Sequence, residues 1–192
     1  MKIDYQLILA SASPRRKELL AGLNIPFEVR LIDGIDETYP PELPTDEVPL
    51  YISQKKAAAY KANISPQTIV LTADTVVVCN EQILGKPIDE ADARRMLQML
   101  SGTTHRVITG VTLLVEGHPK SFSVATDVSF KPLSAAEIDY YIRTFKPFDK
   151  AGAYGIQEWI GYIGVTAING SYFNVMGLPV QRIYEELRIY FT

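Results

Sequence analysis

The residues able to do chemistry in this sequence lie in a few short segments. Ser11-Ala12-Ser13-Pro14-Arg15-Arg16 follows an apolar run and opens with Ser-Pro, a helix-start spelling. Two hydroxyls, two guanidiniums and the unbonded N–H groups of a helix N-terminus suit a phosphate. A capped surface helix with solvated arginines has the same spelling. Ala73-Asp74-Thr75 sits inside the apolar stretch 69–78. A carboxylate there is costly without a partner or ligand, which marks Asp74 as functional unless the strand edge faces water. Gly85-Lys86-Pro87 sets a lysine between a flexible and a rigid residue, suited to aim at an anion or to make an exposed turn. It is not a P-loop, since no glycine precedes it at the required spacing and no Ser or Thr follows the lysine.

Residues 149–157, Asp-Lys-Ala-Gly-Ala-Tyr-Gly-Ile-Gln, hold two glycines, which imply tight backbone beside a ligand or a neighbouring strand. Residues 170–179 are similar, with a structural turn before Pro179 the stronger reading. Glu37 belongs to an acidic loop that is either solvated or a source of oxygen ligands for a metal. Thr104-His105 suggests a catalytic histidine, but the chain has no Gly-x-Ser-x-Gly elbow, which argues against a Ser-His-Asp hydrolase. His105 and His118 come with no cluster at zinc spacing.

The elements that must position these groups follow from periodicity and caps. Residues 6–10 read as a buried strand. Ser13 and Pro14 predict the N-cap and first position of a helix running through Leu19, Leu20 and Leu23. Residues 27–32 predict a second strand and 33–44 a loop. Thr45-Asp46-Glu47 opens a helix through Tyr60. Residues 69–79 predict a strand passing through Asp74, with a turn at Asn80-Glu81 and a return at Ile83-Leu84. Residues 89–100 predict a helix with Ala93, Met96, Leu97 and Leu100 on one stripe and Gly102 past its end. Residues 106–115 and 121–130 predict a hairpin around Gly117-His118-Pro119. Ser134 and Glu137 spell a capping box for a helix to about Phe145. Residues 163–168 predict a strand and 179–190 a terminal amphipathic helix. The irregular alternation, with hairpins in the middle, predicts a mixed α/β sheet flanked by helices in one domain.

Composition narrows the function. The 192 residues suffice for one domain with a sizeable core, in one or two lobes. The formal net charge of −3 makes a general binder of nucleic acid or anionic membrane a poor expectation, while a small anionic ligand responds to local charge. The single cysteine, Cys79, allows no intrachain disulfide and fits a reducing compartment, so a cytoplasmic location is expected. The first residues read as a strand entering a loop rather than a signal peptide. Residues 159–181 carry no charge and are long enough to span a bilayer. Their glycines, asparagines and Pro179 predict buried strands and loops instead.

Taken in order, these segments resemble the Maf family of nucleotide pyrophosphatases. The matching pieces are residues 9–16, Glu37, Lys56-Ala57, residues 73–77, Gly85-Lys86-Pro87, residues 96–105, 149–157 and 169–179. Each is weak alone; the ordered set, spread over almost the whole chain, is specific. The resemblance implies an elongated two-lobed α/β fold with a cleft, similar to the inosine triphosphate pyrophosphatases, spanning residues 1–192. It implies hydrolysis of a nucleoside triphosphate between the α and β phosphates, with Asp74 as base. Glu37 and Asp74 would hold Mg²⁺ or Mn²⁺, and Ser11, Arg15, Arg16, Lys56, Thr75, Lys86 and Gln157 would bind substrate. It implies a homodimer. Arg15, Thr75 and Gln157 resemble the branch that takes dTTP and UTP, whereas the 7-methyl-GTP branch tends to carry Trp, Gln and Glu there. Lys146 and Ile52-Ser53 depart from the usual pattern, which puts local packing rather than chemistry in question. The alternatives are a non-catalytic nucleotide-binding regulator of cell division and a phosphate-ester transferase.

Overall fold

The computed structural model describes residues 4–191. They make two compact units. The first comprises residues 1–74, 109–124 and 177–192, and the second residues 75–108 and 125–176. Three long strands, β3 (Thr68–Cys79), β5 (Thr104–Val115) and β6 (His118–Phe130), contribute residues to both. With β1 (Gln6–Leu9), β2 (Glu28–Val29), β4 (Gln82–Leu84) and β7 (Val165–Asn169) they form one sheet in the order β2-β1-β3-β5-β6-β7, with β4 on β3. The sheet is mixed, because β1 runs parallel to both β2 and β3 while β3–β4 and β6–β7 are antiparallel. The chain is therefore mixed α/β, as its sequence predicts.

The first unit carries α1 (Pro14–Ala21), α2 (Val48–Tyr60) and α7 (Val180–Leu187). Ser13 caps α1 and Pro14 is its first residue, as spelled in the sequence. The helix ends at Ala21, before Leu23. Ile8, Val70 and Leu114 of the sheet pack with Ala57 and Tyr60 of α2. Helix α2 is also tied by buried hydroxyls. Thr72 Oγ1 donates to the carbonyl of Ser53 at 2.7 Å, and Ser53 Oγ shares a 2.9 Å hydrogen bond with Thr112 Oγ1. Ser53, a departure from the family pattern, thus has its polar atom satisfied in the core. Gly110 on β5 lets the helix come close, since an added Cβ there would overlap the backbone N and Cα of Leu50. Strand β2 is shorter than the predicted 27–32. It sits at the sheet end with only two paired residues, and the chain then turns so that Ile32 and Ile35 pack on the core.

The second unit carries α3 (Glu90–Leu100), α4 (Ala135–Phe145), α5 (Trp159–Gly164) and α6 (Tyr172–Val175). The predicted stripe Ala93, Met96, Leu97 and Leu100 is buried, and the Ser134–Glu137 capping box is formed. Asn80 and Glu81 turn β3 into β4 with positive φ of 50° and 61°. Glu116 and Gly117, at 50° and 85°, turn β5 into β6, which leaves His118 and Pro119 in the strand rather than in the turn. The uncharged segment 159–181 departs from expectation. It opens with the helix α5, and β7 is largely exposed at the sheet end rather than buried. Among the described residues no helix is long and apolar enough to cross a membrane.

Candidate active site

Asp74 stands at the middle of β3, where the buried strand opens to partial exposure for two residues. Its partner comes from α2. Lys56 Nζ lies 2.9 Å from Asp74 Oδ1 and 3.1 Å from Glu37 Oε2. One ammonium therefore gathers two carboxylates from segments far apart in the chain. The Lys56 and Asp74 side chains are only 14% and 16% exposed, whereas Glu37 is 56% exposed, so the pair is sheltered and the third group reaches in from solvent. The costly carboxylate in an apolar strand is thus matched by a cation rather than left to water.

The start of α1 supports the same point of β3 from another direction. Arg16 Nε donates to the carbonyl of Gly177 at 2.9 Å, and Nη1 donates to the carbonyl of Ala73 at 2.8 Å. The guanidinium so ties α1 to the residue immediately before Asp74. Burial pulls the proton affinity of Arg16 down; the negative field of Asp74 opposes this, Arg15 adds to it, and Glu37 opposes it. Two acidic groups and a second arginine are thus within electrostatic reach of this cation. Ser11 lies in the turn ahead of the helix, its Oγ accepting from Ser13 N at 3.3 Å, while Ser13 Oγ accepts from Arg16 N at 3.4 Å. Ser11, Arg15, Arg16, Glu37, Lys56 and Asp74 all belong to the first unit, and of these Arg16, Lys56 and Glu37 are gathered at the centre of β3.

The acidic loop is pinned by a residue the sequence reading passed over. Lys55 Nζ donates to Asp36 Oδ2 and to the carbonyl of Thr38, both at 2.8 Å. Asp36 in turn accepts from the backbone N and Oγ1 of Thr38 at 2.9 and 2.8 Å. These hydrogen bonds hold the Asp36 carboxyl well below the usual carboxylate range. Two neighbouring lysines grip two neighbouring carboxylates. The adjacency of Asp36-Glu37 and of Lys55-Lys56 was the only sequence signal for it.

Thr75, Lys86 and Gln157 belong to the second unit. Thr75 follows Asp74 on β3, and Lys86 is exposed just after β4. Two of the weak motifs meet within that unit. Gly152 N donates to the carbonyl of Gly85 at 3.0 Å, and a Cβ on Gly152 would press on Val77 at 3.0 Å, so the glycine permits the contact. The turn before Gln157 rests on a charged network. Tyr141 donates its hydroxyl to Glu158 Oε2 and accepts from Gly155 N at 3.0 Å. Lys150 Nζ lies 2.9 Å from Glu158 Oε1 and 2.7 Å from Asp149 Oδ1. Lys150 is thus held by two carboxylates. His105 is no catalytic group. It is buried, Nε2 pairs with Tyr154 Oη at 2.8 Å, and burial lowers its pKa to about 4.

The donor set suits a hard divalent cation. Among the described residues no three His, Cys, Asp or Glu side chains gather into a protein cage. Two carboxylate oxygens, however, already point at one cationic position, and Mg²⁺ commonly takes one or two carboxylates plus substrate phosphates.

Comparisons with known proteins give the chain its relatives. A protein from Phocaeicola vulgatus named "dTTP/UTP pyrophosphatase" is 60% identical over 184 residues, covering 96% of this chain and 95% of that protein. One of the same name from Parabacteroides distasonis is 52% identical over the same coverage. Among solved structures, the Staphylococcus aureus Ham1 protein matches 65% of this chain and 71% of its own at a TM-score of 0.45 and 15% identity. The model of the family described as Maf-like protein matches residues 6–190, and the chain belongs to that family.

Proposed function

We propose that this protein hydrolyses nucleoside triphosphates, dTTP and UTP foremost, to the monophosphate and pyrophosphate. The observation that carries the reading is the sheltered Asp74 carboxylate held by Lys56, beside Glu37 and Arg16. The names of the relatives at 52–60% identity over nearly the whole chain support the substrate class.

In this reading Asp74 orients a water molecule and accepts its proton as the oxygen attacks the α-phosphorus. The new P–O bond forms as the bond from the α-phosphorus to the bridging oxygen breaks, and pyrophosphate leaves with that oxygen. A triphosphate is strongly anionic, so neutralising its charge is most of the catalytic task. Lys56, Arg15, Arg16 and Lys86 supply fixed positive charge, and Ser11 donates a hydroxyl hydrogen bond. Glu37 and Asp74 would hold Mg²⁺ or Mn²⁺, which supplies further charge neutralisation at the phosphate oxygens. Thr75 and Gln157 read the base edge by hydrogen bonds, and Arg15 completes the set that favours pyrimidines. Residues 1–192 act as one functional domain of two compact units; residues 1–3 and 192 of that span lie outside the described residues. A homodimer is proposed on the family resemblance. A cytoplasmic location is supported by the single buried Cys79, and the net charge of −3 argues against nucleic-acid or membrane partners.

Incubation with dTTP and Mg²⁺ tests the reading. The expected products are dTMP and pyrophosphate, suppressed by a chelator. Tight binding without product would favour a nucleotide-binding regulator instead, and product only on addition of an acceptor would favour a transferase.

A further inference from the structure

We propose that Lys55 and Asp36 are positioning residues that fix the carboxylate of Glu37 toward Lys56 and Asp74, and so tune the binding of a divalent cation. The inference rests on the reading of Glu37 as a metal ligand and extends it to residues with no assigned role. Glu37 lies on a stretch, residues 35–40, with no regular secondary structure, and its side chain is more than half exposed. The reach of a carboxylate so placed varies with every movement of the backbone that carries it. Here the backbone is held on both sides. Asp36 closes a turn onto Thr38 through two hydrogen bonds, and Lys55 Nζ bonds both Asp36 and the Thr38 carbonyl. The ring of Tyr51, one turn earlier on α2, sits 5.8 Å from the same ammonium and narrows its range. Glu37 is the residue between the two pinned ones. Because Lys55 directly precedes Lys56 on one helix, the clamp and the ammonium facing Asp74 share a rigid base.

Magnitudes separate this role from a stabilising one. Asp36 is 62% exposed, and an ion pair open to solvent contributes little to folding. Partners that orient a metal ligand, by contrast, commonly change metal affinity by about tenfold or more.

The test titrates Mn²⁺ in the presence of a dTTP analogue with a non-hydrolysable α,β linkage, reading free Mn²⁺ by electron paramagnetic resonance. The variants are Lys55→Met, Asp36→Asn and Lys55→Arg, with Glu37→Gln as reference. Lys55→Met and Asp36→Asn should weaken Mn²⁺ binding about tenfold. Their kcat at saturating Mn²⁺ should stay within about twofold, and their melting temperature within about 2 °C. Lys55→Arg, which keeps donors for both acceptors, should restore most of the affinity. The inference is overturned if Lys55→Met and Asp36→Asn bind Mn²⁺ like the parent while Glu37→Gln does not. If Glu37→Gln also binds like the parent, the ligand role of Glu37 is wrong and the clamp has nothing to position.

Discussion

Lys56 Nζ stands 2.9 Å from Asp74 Oδ1 and holds Glu37 with the same ammonium, so removing the charge of Asp74 leaves the lysine with a partner. Breaking a buried pair is usually costly because a bare charge remains, and here that cost is shared. Asp74→Asn should therefore fold. It should lose turnover by a factor on the order of 10²–10⁴, the range for removal of a general base, while nucleotide affinity changes little. Single-turnover kinetics and calorimetric titration with the non-hydrolysable analogue separate the two quantities. A kcat within a few-fold of the parent would reject Asp74 as the base.

Gly110 sits where α2 meets β5, and an added Cβ would overlap the backbone of Leu50. No flexible side chain is there to yield, so the helix itself must retreat. Overpacking of this kind costs about 3 kcal/mol. Gly110→Ala should lower the melting temperature by about 6–12 °C for a chain of this size. It should also lower activity at temperatures where the fold is intact, since Lys55 and Lys56 ride on the displaced helix. Thermal melts and kcat measured well below the transition check both parts. Unchanged melting would mean that the close approach is not needed.

His105 makes stability depend on pH. Burial lowers its pKa to about 4 in the folded chain, against about 6.5 when unfolded. The unfolded chain therefore binds more protons between those values, and stability falls as pH drops from about 6.5 toward 4, by up to about 3 kcal/mol. Hydrogen bonds hold Asp36 and Glu137 low as well, Glu137 at about 2, and their contributions are lost at lower pH still. The double variant His105→Phe/Tyr154→Phe removes both ends of the 2.8 Å contact, leaving no orphaned partner. Denaturant melts at pH 6.5 and 4.5 should show a clear loss for the parent and a smaller one for the double variant. Equal losses would clear His105 of this role.

Local signals were legible because they are written within a few residues. The Ser13-Pro14 start, the Ser134–Glu137 box, the α3 stripe and the Asn80-Glu81 turn each follow from side-chain chemistry at fixed spacing. Asp74 stood out because an apolar strand does not hold a carboxylate without reason. The contacts that place it did not stand out. Arg16 bonds the carbonyls of Ala73 and Gly177, and a backbone acceptor has no sequence signature. Lys56 meets Glu37 and Asp74 only after the chain has folded. In the uncharged run 159–181 lack of charge does not mean burial, because β7 lies exposed at the sheet end.

Base preference gives the last test, through the network beneath Gln157. Tyr141 is fully buried, and its hydroxyl joins Gly155 N to Glu158, which Lys150 holds from its other oxygen. A Cβ on Gly155 would stand 2.9 Å from Lys150 Cε and 3.0 Å from Glu158 Cδ, so the glycine lets this ion pair lie close over the backbone. Gln157 lies two residues beyond this anchor. Gln157→Ala, at a partly exposed position, should lower the ratio of kcat/KM for dTTP over GTP by about tenfold, the worth of one or two hydrogen bonds, with little effect on melting. Tyr141→Phe should lower the same ratio less but cost about 1–3 kcal/mol of stability, since Gly155 N and Glu158 each lose a buried partner. A ratio that stays fixed in Gln157→Ala would remove Gln157 from base recognition. A ratio that falls there but not in Tyr141→Phe would limit the network to holding the fold.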